Sequence, residues 1–218
     1  MEIWKPMTES NVFLGLDEDS IKALNFCFKS RLKFIEKNEI IVSASEKNEY
    51  CIYILEGSAR ETIYDSNGVE SIIRTYNKGE IFGLLEAYTN ANEYLSTLVA
   101  NKKSSVVLFN RYRFVNPCEN ACLRHQQLTK NLVKILAESN IEMNEKIMVL
   151  SKRTIREKVL TYLRMIRDKN NSNYFDIPFN RQELANFLAV DRSALSIELS
   201  KMKKENIIDF NKNHFNLK

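Results

Sequence analysis

Between Tyr50 and Asn110 the apolar residues stand in short runs or alternate with polar residues, and turn-forming residues separate the runs. Short alternating segments are typical of half-buried β-strands. Gly57, Gly68 and Gly79 are each eleven residues apart, which suits one strand plus one turn. The pattern predicts an antiparallel sandwich or a barrel-like roll. The predicted strands are CIYIL, ARETIYD, SIIRTY, LSTLVA and SSVVLF.

Two local signals belong to this predicted roll. Residues 65–68 read Asp-Ser-Asn-Gly, and an Asn-Gly pair accepts the positive φ of a tight hairpin turn, so a hairpin is predicted there. A short helix is predicted before the first of these strands, from Glu18 to Phe28.

A long helix is predicted after the roll. Asn116 has the chemistry of an N-cap, Pro117 suits the first helical position, and Glu119 the third. The apolar stripe of this helix is expected to pair with its own copy in a parallel coiled coil, where Asn140 would fix the register. The alternative is that the stripe packs only on its own roll. The stripe comprises Leu128, Leu132, Leu136, Met143, Ile147 and Leu150.

The last third of the chain has helical spacing of a different kind. Residues 151–170 predict an amphipathic helix, and residues 175–179 an edge strand. Residues 180–188 begin with a capping box and carry apolar residues on one face, and a second helix follows Asp191 after a three-residue break. Residues 207–217 predict a terminal hairpin. Together these elements predict a winged helix-turn-helix.

The outward arc of the second helix is predicted to enter the major groove of DNA. Arg192 can reach a guanine edge as a two-pronged donor. Ile197 either contacts a thymine methyl group or packs against a neighbour. The start of the first helix would hold phosphates. The predicted DNA-binding residues are Asn180, Arg181, Gln182, Arg192, Ser193, Ser196, Ile197 and Lys201.

Charge is distributed unevenly along the 218 residues, whose formal net charge is +4. Residues 1–150 hold 18 Lys and Arg against 20 Asp and Glu, whereas residues 151–218 hold 14 against 8, a net charge of +6. A basic C-terminal third favours a polyanionic partner. Basic surface is also often plain solvated surface, so charge alone decides little.

Other function classes find little support. The two histidines, His125 and His214, stand beside no nucleophile motif, and the sequence has no phosphate-binding glycine loop or zinc-protease signature. An enzyme is therefore not expected. The chain shows no secretory signal and no apolar run long enough to span a membrane, so we expect a cytoplasmic protein with its four cysteines as thiols.

The order of elements and three motifs resemble the CRP/FNR family (cyclic-AMP receptor protein/fumarate-nitrate regulator) of bacterial transcription factors. The motifs are Gly79–Gly83 (GEIFG), Leu150–Arg156 (LSKRTIR), and RQELA at 181–185 with DRSALS at 191–196. The resemblance implies an α+β fold with three parts. These are a double-stranded β-helix roll resembling a cyclic nucleotide-binding jelly roll at 1–116, a dimerisation helix at 117–150, and a winged helix-turn-helix at 151–218.

The resemblance also implies partners and base contacts. It implies a homodimer, a palindromic DNA site with half-sites one helical turn apart, and contact with RNA polymerase. Arg192 matches the family's guanine-reading Arg. Ser193 stands where a Glu usually follows, and Ile197 aligns with a third base-reading Arg, so the usual TGTGA-type half-site is not expected.

For the sensor, the resemblance argues against cyclic AMP. Family members that bind it use a Gly-Glu pair and an Arg-Ser pair, but here Leu84 follows Gly83 and Leu95 precedes Ser96. Loss of the cation removes an interaction of about 1.5–3 kcal/mol. An unidentified small effector between the roll and the long helix is expected instead. The candidate pocket residues are Gly83, Leu84, Leu85, Leu95, Ser96 and Asn140.

No cofactor or metal is predicted. The fumarate-nitrate branch uses an N-terminal cysteine cluster for an iron–sulfur centre, and Cys27 is the sole cysteine before residue 50. Cys118, Cys122 and His125 share one face of the predicted helix start, which leaves a redox switch or a metal or haem site as an alternative to simple interface packing. A second alternative is a ligand-binding regulatory module that acts through protein contacts.

Overall fold

The fold is taken from a computed structural model, in which residues 4–64, 70–116 and 122–218 are described. The chain divides into two compact units, Met1–Glu138 (the first unit) and Ser139–Lys218 (the second unit). Each unit has an apolar core of its own. None of the helices in the described ranges is long and apolar enough to cross a membrane.

The first unit begins with two short 3-10 turns, Lys5–Glu9 and Asn11–Phe13, and helix α1, Glu18–Phe28. Asp17 caps α1 by accepting a hydrogen bond from the amide of Ser20 at 2.8 Å. The helix predicted at these positions is confirmed. Its apolar face is buried in the core of the first unit.

Two four-stranded antiparallel sheets form the roll, with strand orders β1-β8-β3-β6 and β2-β7-β4-β5. Side chains from both sheets fill the core between them. The five strands expected from the sequence are confirmed as β3, β4, β5, β7 and β8. The strands are β1 Arg31–Ile35, β2 Ile40–Val42, β3 Tyr50–Glu56, β4 Ser58–Tyr64, β5 Glu70–Asn77, β6 Ile81–Phe82, β7 Thr97–Ala100 and β8 Ser104–Asn110.

Strands β4 and β5 pair antiparallel, with Tyr64 opposite Glu70, as the predicted hairpin requires. The turn itself, at 65–69, lies outside the described residues. The register of this pair shifts between Glu61 and Thr62. Because of that shift Thr62 is fully buried, whereas Ile63 is 46% exposed.

Gly83 makes the corner between β6 and helix α2, Leu84–Tyr88. Its φ is +87°, a backbone conformation that residues other than glycine rarely adopt. A Cβ atom at this position would lie 3.2 Å from the carbonyl oxygen of Tyr50. The corner therefore requires glycine. A further short helix, α3, runs from Arg111 to Val115 after the roll.

The long helix, α4, is Leu123–Leu150, so the predicted start at Pro117 is wrong. Asn116 is not its N-cap, because Asn116 ends α3 and its side-chain amide donates to the carbonyl of Tyr112 at 2.9 Å. Residues 117–121 lie outside the described part of the chain. Cys122 is described and precedes the first helical residue.

The prediction that the apolar stripe of α4 faces a second copy of the chain is wrong for the first half of the stripe. Leu128 and Leu132 are fully buried in the core of the first unit, so they cannot contact another chain. The side chain of Asn131, beside them, donates to the carbonyl oxygens of Val12 and Leu14 at 3.1 and 2.8 Å. This half of α4 is bound to its own roll, as the alternative interpretation had it. Further along the stripe, Met143 and Ile147 are exposed.

The second unit contains the rest of α4, three helices and a small antiparallel sheet with strand order β10-β11-β9. The predicted winged helix-turn-helix is confirmed. Its elements are α5 Ile155–Asn170, β9 Tyr174–Asp176, α6 Arg181–Leu188, α7 Arg192–Lys204, β10 Ile208–Asn211 and β11 His214–Leu217.

Candidate nucleic-acid interface

Helices α6 and α7 are joined by a tight turn whose ends are fixed by local hydrogen bonds. The side chain of Asn180 accepts hydrogen bonds from the amides of Gln182 and Glu183. The carboxylate of Glu183 in turn accepts one from the amide of Asn180, which completes a capping box. Ala189 ends α6 with φ at +50°, and Asp191 caps α7 through the amide of Ala194 at 2.9 Å. These contacts set the direction in which α7 leaves the turn.

Helix α7 has one buried face and one open face. Leu195, Leu199 and Met202 are fully buried in the core of the second unit. Arg192 is exposed and makes no ion pair with any residue in the described ranges. The opposite arc, called the open arc here, is exposed at Ser193, Ile197, Ser200 and Lys201, while Ser196 is half-buried.

The three carboxylates of α7 and its flanks, those of Asp191, Glu198 and Glu205, are each held by a hydrogen bond. Arg156, from α5, binds Glu198 at 2.6 Å and both carboxylate oxygens of Glu205 at 2.6 and 2.9 Å. These hydrogen bonds raise the pKa of Arg156, and the bond to Arg156 lowers the pKa of Glu205. Asp191 is held by the hydroxyl of Ser193, which lowers the pKa of Asp191. The open arc carries the cation Lys201, while Glu198 and Glu205 are paired with Arg156.

The serine hydroxyls on α7 donate within the helix region itself. Ser193 donates to Asp191 at 2.5 Å, Ser196 to the carbonyl of Arg192 at 2.9 Å, and Ser200 to the carbonyl of Ser196 at 2.9 Å. In these contacts each hydroxyl uses its one proton. Among the predicted DNA-binding residues of α7, Arg192 and Lys201 carry the positively charged donors.

The predicted phosphate-binding residues at the start of α6 are occupied by structural contacts. Asn180 serves the capping box, and Gln182 donates to Asn186 at 2.9 Å. The guanidinium of Arg181 lies 4.9 Å from the ring centre of Phe210 on β10, and burial lowers the pKa of Arg181. Arg181 thereby connects α6 to the wing hairpin of β10 and β11. The sequence analysis missed this contact.

Arg156, named above only as the end of the LSKRTIR motif, and Lys203 make contacts that the sequence analysis did not predict. Lys203 pairs with Asp209 at 2.6 Å and lies 5.2 Å from the centre of the Phe210 ring. Arg156 meets its partners across 42 and 49 residues of sequence. Separations of that size leave no periodic signal along the chain.

The predicted effector residues fall into two groups. In the first unit, Gly83, Leu84 and Ser96 are buried, while Leu85 and Leu95 are exposed. Asn140 is exposed on the part of α4 that belongs to the second unit, and its side-chain oxygen accepts from Asn144 at 2.9 Å. A pocket that includes Asn140 stays a prediction.

Two carboxylates lie in the roll beside the residues that would hold a nucleotide phosphate. Ser96 donates to Glu61 at 2.6 Å, and Tyr76 donates to the other oxygen of Glu61 at 3.0 Å. The amide of Leu95 is 3.5 Å from Glu86, which is 5% exposed, and burial raises the pKa of Glu86. A phosphate bound at Ser96 would lie beside negatively charged carboxylates. The residue before Ser96 is Leu95, which supplies no positive charge for it.

The candidate redox or metal residues are only partly described. Cys118 lies outside the described residues. The sulfur of Cys122 lies 3.1 Å from Nδ1 of His125, whose ring is buried edge-on against Phe28, and burial lowers the pKa of His125. Within the described ranges no group of three or more His, Cys, Asp or Glu side chains could hold a metal ion.

Comparison with family models finds two domains in this order along the chain. Residues 32–121 match the cyclic nucleotide-binding domain, and residues 157–218 match the Crp-like helix-turn-helix domain. A protein of Haemophilus influenzae with no described function is 29% identical over 115 residues, which cover 50% of this chain and 88% of that protein.

Solved structures share the fold over most of the chain. The global regulator CLP of Xanthomonas campestris, described as responsive to c-di-GMP, aligns with a TM-score of 0.66 and 13% identity, covering 92% of this chain and 99% of CLP. FixK2 of Bradyrhizobium japonicum aligns with a TM-score of 0.58 and 21% identity, covering 87% of this chain and 92% of FixK2. The catabolite activator protein of Thermus thermophilus aligns with a TM-score of 0.55 and 19% identity, covering 96% of this chain and 94% of that protein.

Proposed function

The chain belongs to the CRP/FNR family of regulators, and on that premise we propose that it is a sequence-specific DNA-binding transcriptional regulator. The observation that carries the proposal is the exposed surface of α7. Lys201 is exposed on the open arc and Arg192 in the first turn of the helix, while Glu198 and Glu205 are bound by Arg156. An arc of this kind suits the negative potential and the acceptor-rich guanine edges of the major groove.

We propose further that the regulator acts as a homodimer through α4. A row of residues on this helix alternates in spacing between four and three, and every member of the row is exposed. Such spacing is typical of a two-stranded coiled-coil seam, and a polar pair within it can fix the register. This seam comprises Val133, Ala137, Asn140, Asn144 and Ile147. It lies beside the face that carries the buried Leu128 and Leu132.

The dimer defines the proposed DNA site. Two copies of α7 related by twofold symmetry would bind a palindrome with half-sites one helical turn apart. By its family the regulator would also contact RNA polymerase. It would act in the cytoplasm, without catalysis and without a bound cofactor.

The proposed effector is a molecule other than cyclic AMP. The support is electrostatic: Glu61 and Glu86 lie beside Ser96, and Leu95 supplies no cation for a phosphate. Ligand control would then bias the placement of the two DNA-binding units through the dimer helix.

Selection of bound duplexes from a random pool tests the DNA-binding function. We expect a palindromic consensus and an affinity for the selected duplex that falls steeply with salt concentration. A protein that binds no duplex at low salt would contradict the proposal and favour a module that acts through protein contacts.

The dimer is tested separately by sedimentation. Val133→Lys places a charge in the seam and should shift the protein from dimer to monomer. Glu142→Lys is the matched control, because Glu142 is exposed on the opposite side of α4 and should leave the dimer intact. A monomeric wild-type protein at micromolar concentration would refute the seam.

A further inference from the structure

Ile197 is the one large apolar side chain exposed on α7, a helix that the structure describes in full. It is 59% exposed and is absent from the core of the second unit and from the partly buried residues packed against that core. The alternative that Ile197 packs against a neighbour therefore finds no support. An apolar side chain in the middle of a polar arc would gain free energy from any surface that removed it from water.

The surface that α7 would meet in the proposed function carries one apolar feature. In the major groove each base pair presents hydrogen-bond donors and acceptors, and thymine alone among the four bases adds a methyl group. Ile197 has no donor or acceptor, so it cannot recognise the polar edges. Contact with the methyl group is the means by which it can distinguish one base from the others.

The neighbours of Ile197 are hydrogen-bonded within the second unit. Ser193 and Ser200 each donate one hydrogen bond within their own helix region. Glu198, the next residue, is half-buried and bound by Arg156. Ile197 is the exposed side chain of this part of the arc that offers a base apolar atoms alone.

We propose that Ile197 is a specificity-determining residue that selects thymine in each half-site through its 5-methyl group. This inference rests on the proposed DNA-binding function, and it assigns the base that α7 reads at this position. Arg192, exposed in the first turn of α7, would read a guanine on the same half-site.

The test uses the full-length protein and the duplex found by selection. Each thymine is replaced in turn by deoxyuridine, which removes the methyl group and leaves every hydrogen-bonding atom in place. At one position in each half-site we expect the wild-type affinity to fall about fourfold per half-site, the factor that corresponds to burial of one methyl group. The Ile197→Ala variant should bind thymine and uracil duplexes equally at that position.

Ser200→Ala is the matched control. It changes a small exposed residue of the same arc and should preserve the thymine-over-uracil preference. Circular dichroism of Ile197→Ala would show that α7 is still folded, since Ile197 contributes to no core.

The outcomes separate this inference from the proposed function. If no duplex is selected, the DNA-binding function itself fails. If a duplex is selected and every uracil substitution is neutral for the wild type, the protein is a DNA-binding regulator and the role of Ile197 is refuted. Retention of the preference in Ile197→Ala would refute it equally.

Discussion

Two regions of this protein stand where members of its family meet phosphate, and they differ in charge. In the roll, Ser96 is hydrogen-bonded to Glu61, and Glu86 is buried beside Leu95. On α7, Arg192 is exposed, and the carboxylate of Glu198 is bound by Arg156. The serine of the roll is thus paired with a carboxylate, whereas the arginine of α7 is open to solvent.

The difference shows that fold and ligand chemistry diverge separately. Backbone geometry around Gly83 is preserved because a tight corner tolerates no other residue well, whereas the charge of a pocket depends on a few replaceable side chains. The comparison can be tested by variants in each region, which should affect either DNA affinity or roll stability but not both.

The largest effect is expected from Arg192→Ala. Loss of a two-pronged guanine contact should weaken binding to the selected duplex by about 1–3 kcal/mol, a factor of roughly 5 to 150, and leave nonspecific binding nearly unchanged. Fluorescence titration against the selected and a scrambled duplex measures both. Arg164→Ala, which removes an exposed arginine from α5, is the matched control. Equal losses on both duplexes would show that Arg192 contacts phosphate only.

In the roll, Gly83→Ala should lower the free energy of unfolding of the first unit by about 1–2 kcal/mol, because alanine at positive φ is strained. Trp4, the one tryptophan of the chain, packs against the core of this unit, so its fluorescence reports the transition in urea. DNA affinity below the transition should equal that of the wild type. A parallel loss of DNA affinity would show that the two regions are not independent.

Sequence reasoning predicted the DNA-binding unit well because its signals are local. The capping box at Asn180 and Glu183 and the buried row from Leu195 to Met202 are spaced by the helix repeat itself. The same reasoning applied to α1, whose predicted bounds match the structure.

The roll and the long helix were predicted less completely for identifiable reasons. Strand β1 is exposed at four of its five positions, so it carries no alternation to detect. After the register shift that follows Glu61, the buried side chain is Thr62 instead of the more apolar Ile63. The contact of Ser96 with Glu61 spans 35 residues. Leu128 and Leu132 looked like a dimer stripe because a helix face that packs on its own roll has the same spacing.

Glu86→Gln probes the acidic character of the roll. Burial raises the pKa of Glu86 above its ordinary value of 4.5, so the folded state holds the proton more tightly than the unfolded state. The stability that this provides is present below 4.5 and is lost as pH rises through the raised pKa. Glu86→Gln should therefore stabilise the first unit more at neutral pH than in acid, measured by Trp4 fluorescence in urea.

Glu93→Gln is the control for that comparison, because Glu93 is an exposed glutamate of the same unit. A Glu86→Gln variant with the same stability difference at both pH values would mean that the carboxyl of Glu86 is not desolvated in the folded protein.

The smallest effect is expected at the turn of the DNA-binding unit. Ala189 has φ at +50°, where glycine is less strained, so Ala189→Gly should stabilise the second unit by about 0.5 kcal/mol after the added chain entropy of glycine is subtracted. Far-ultraviolet circular dichroism during thermal unfolding measures it, and the selected duplex should bind as before. A lower melting temperature would show that the methyl group of Ala189 makes contacts that outweigh the strain.

The ion pairs of Arg156 with Glu198 and Glu205 also affect how mutants of this regulator would behave in a cell. Replacing Arg156, which belongs to α5, would leave two unpaired negative charges on α7 and just after its end. A genetic screen for failed gene control would thus recover substitutions at Arg156 together with those at true base contacts. A second-site change of Glu198 to glutamine that restores regulation would identify the first class.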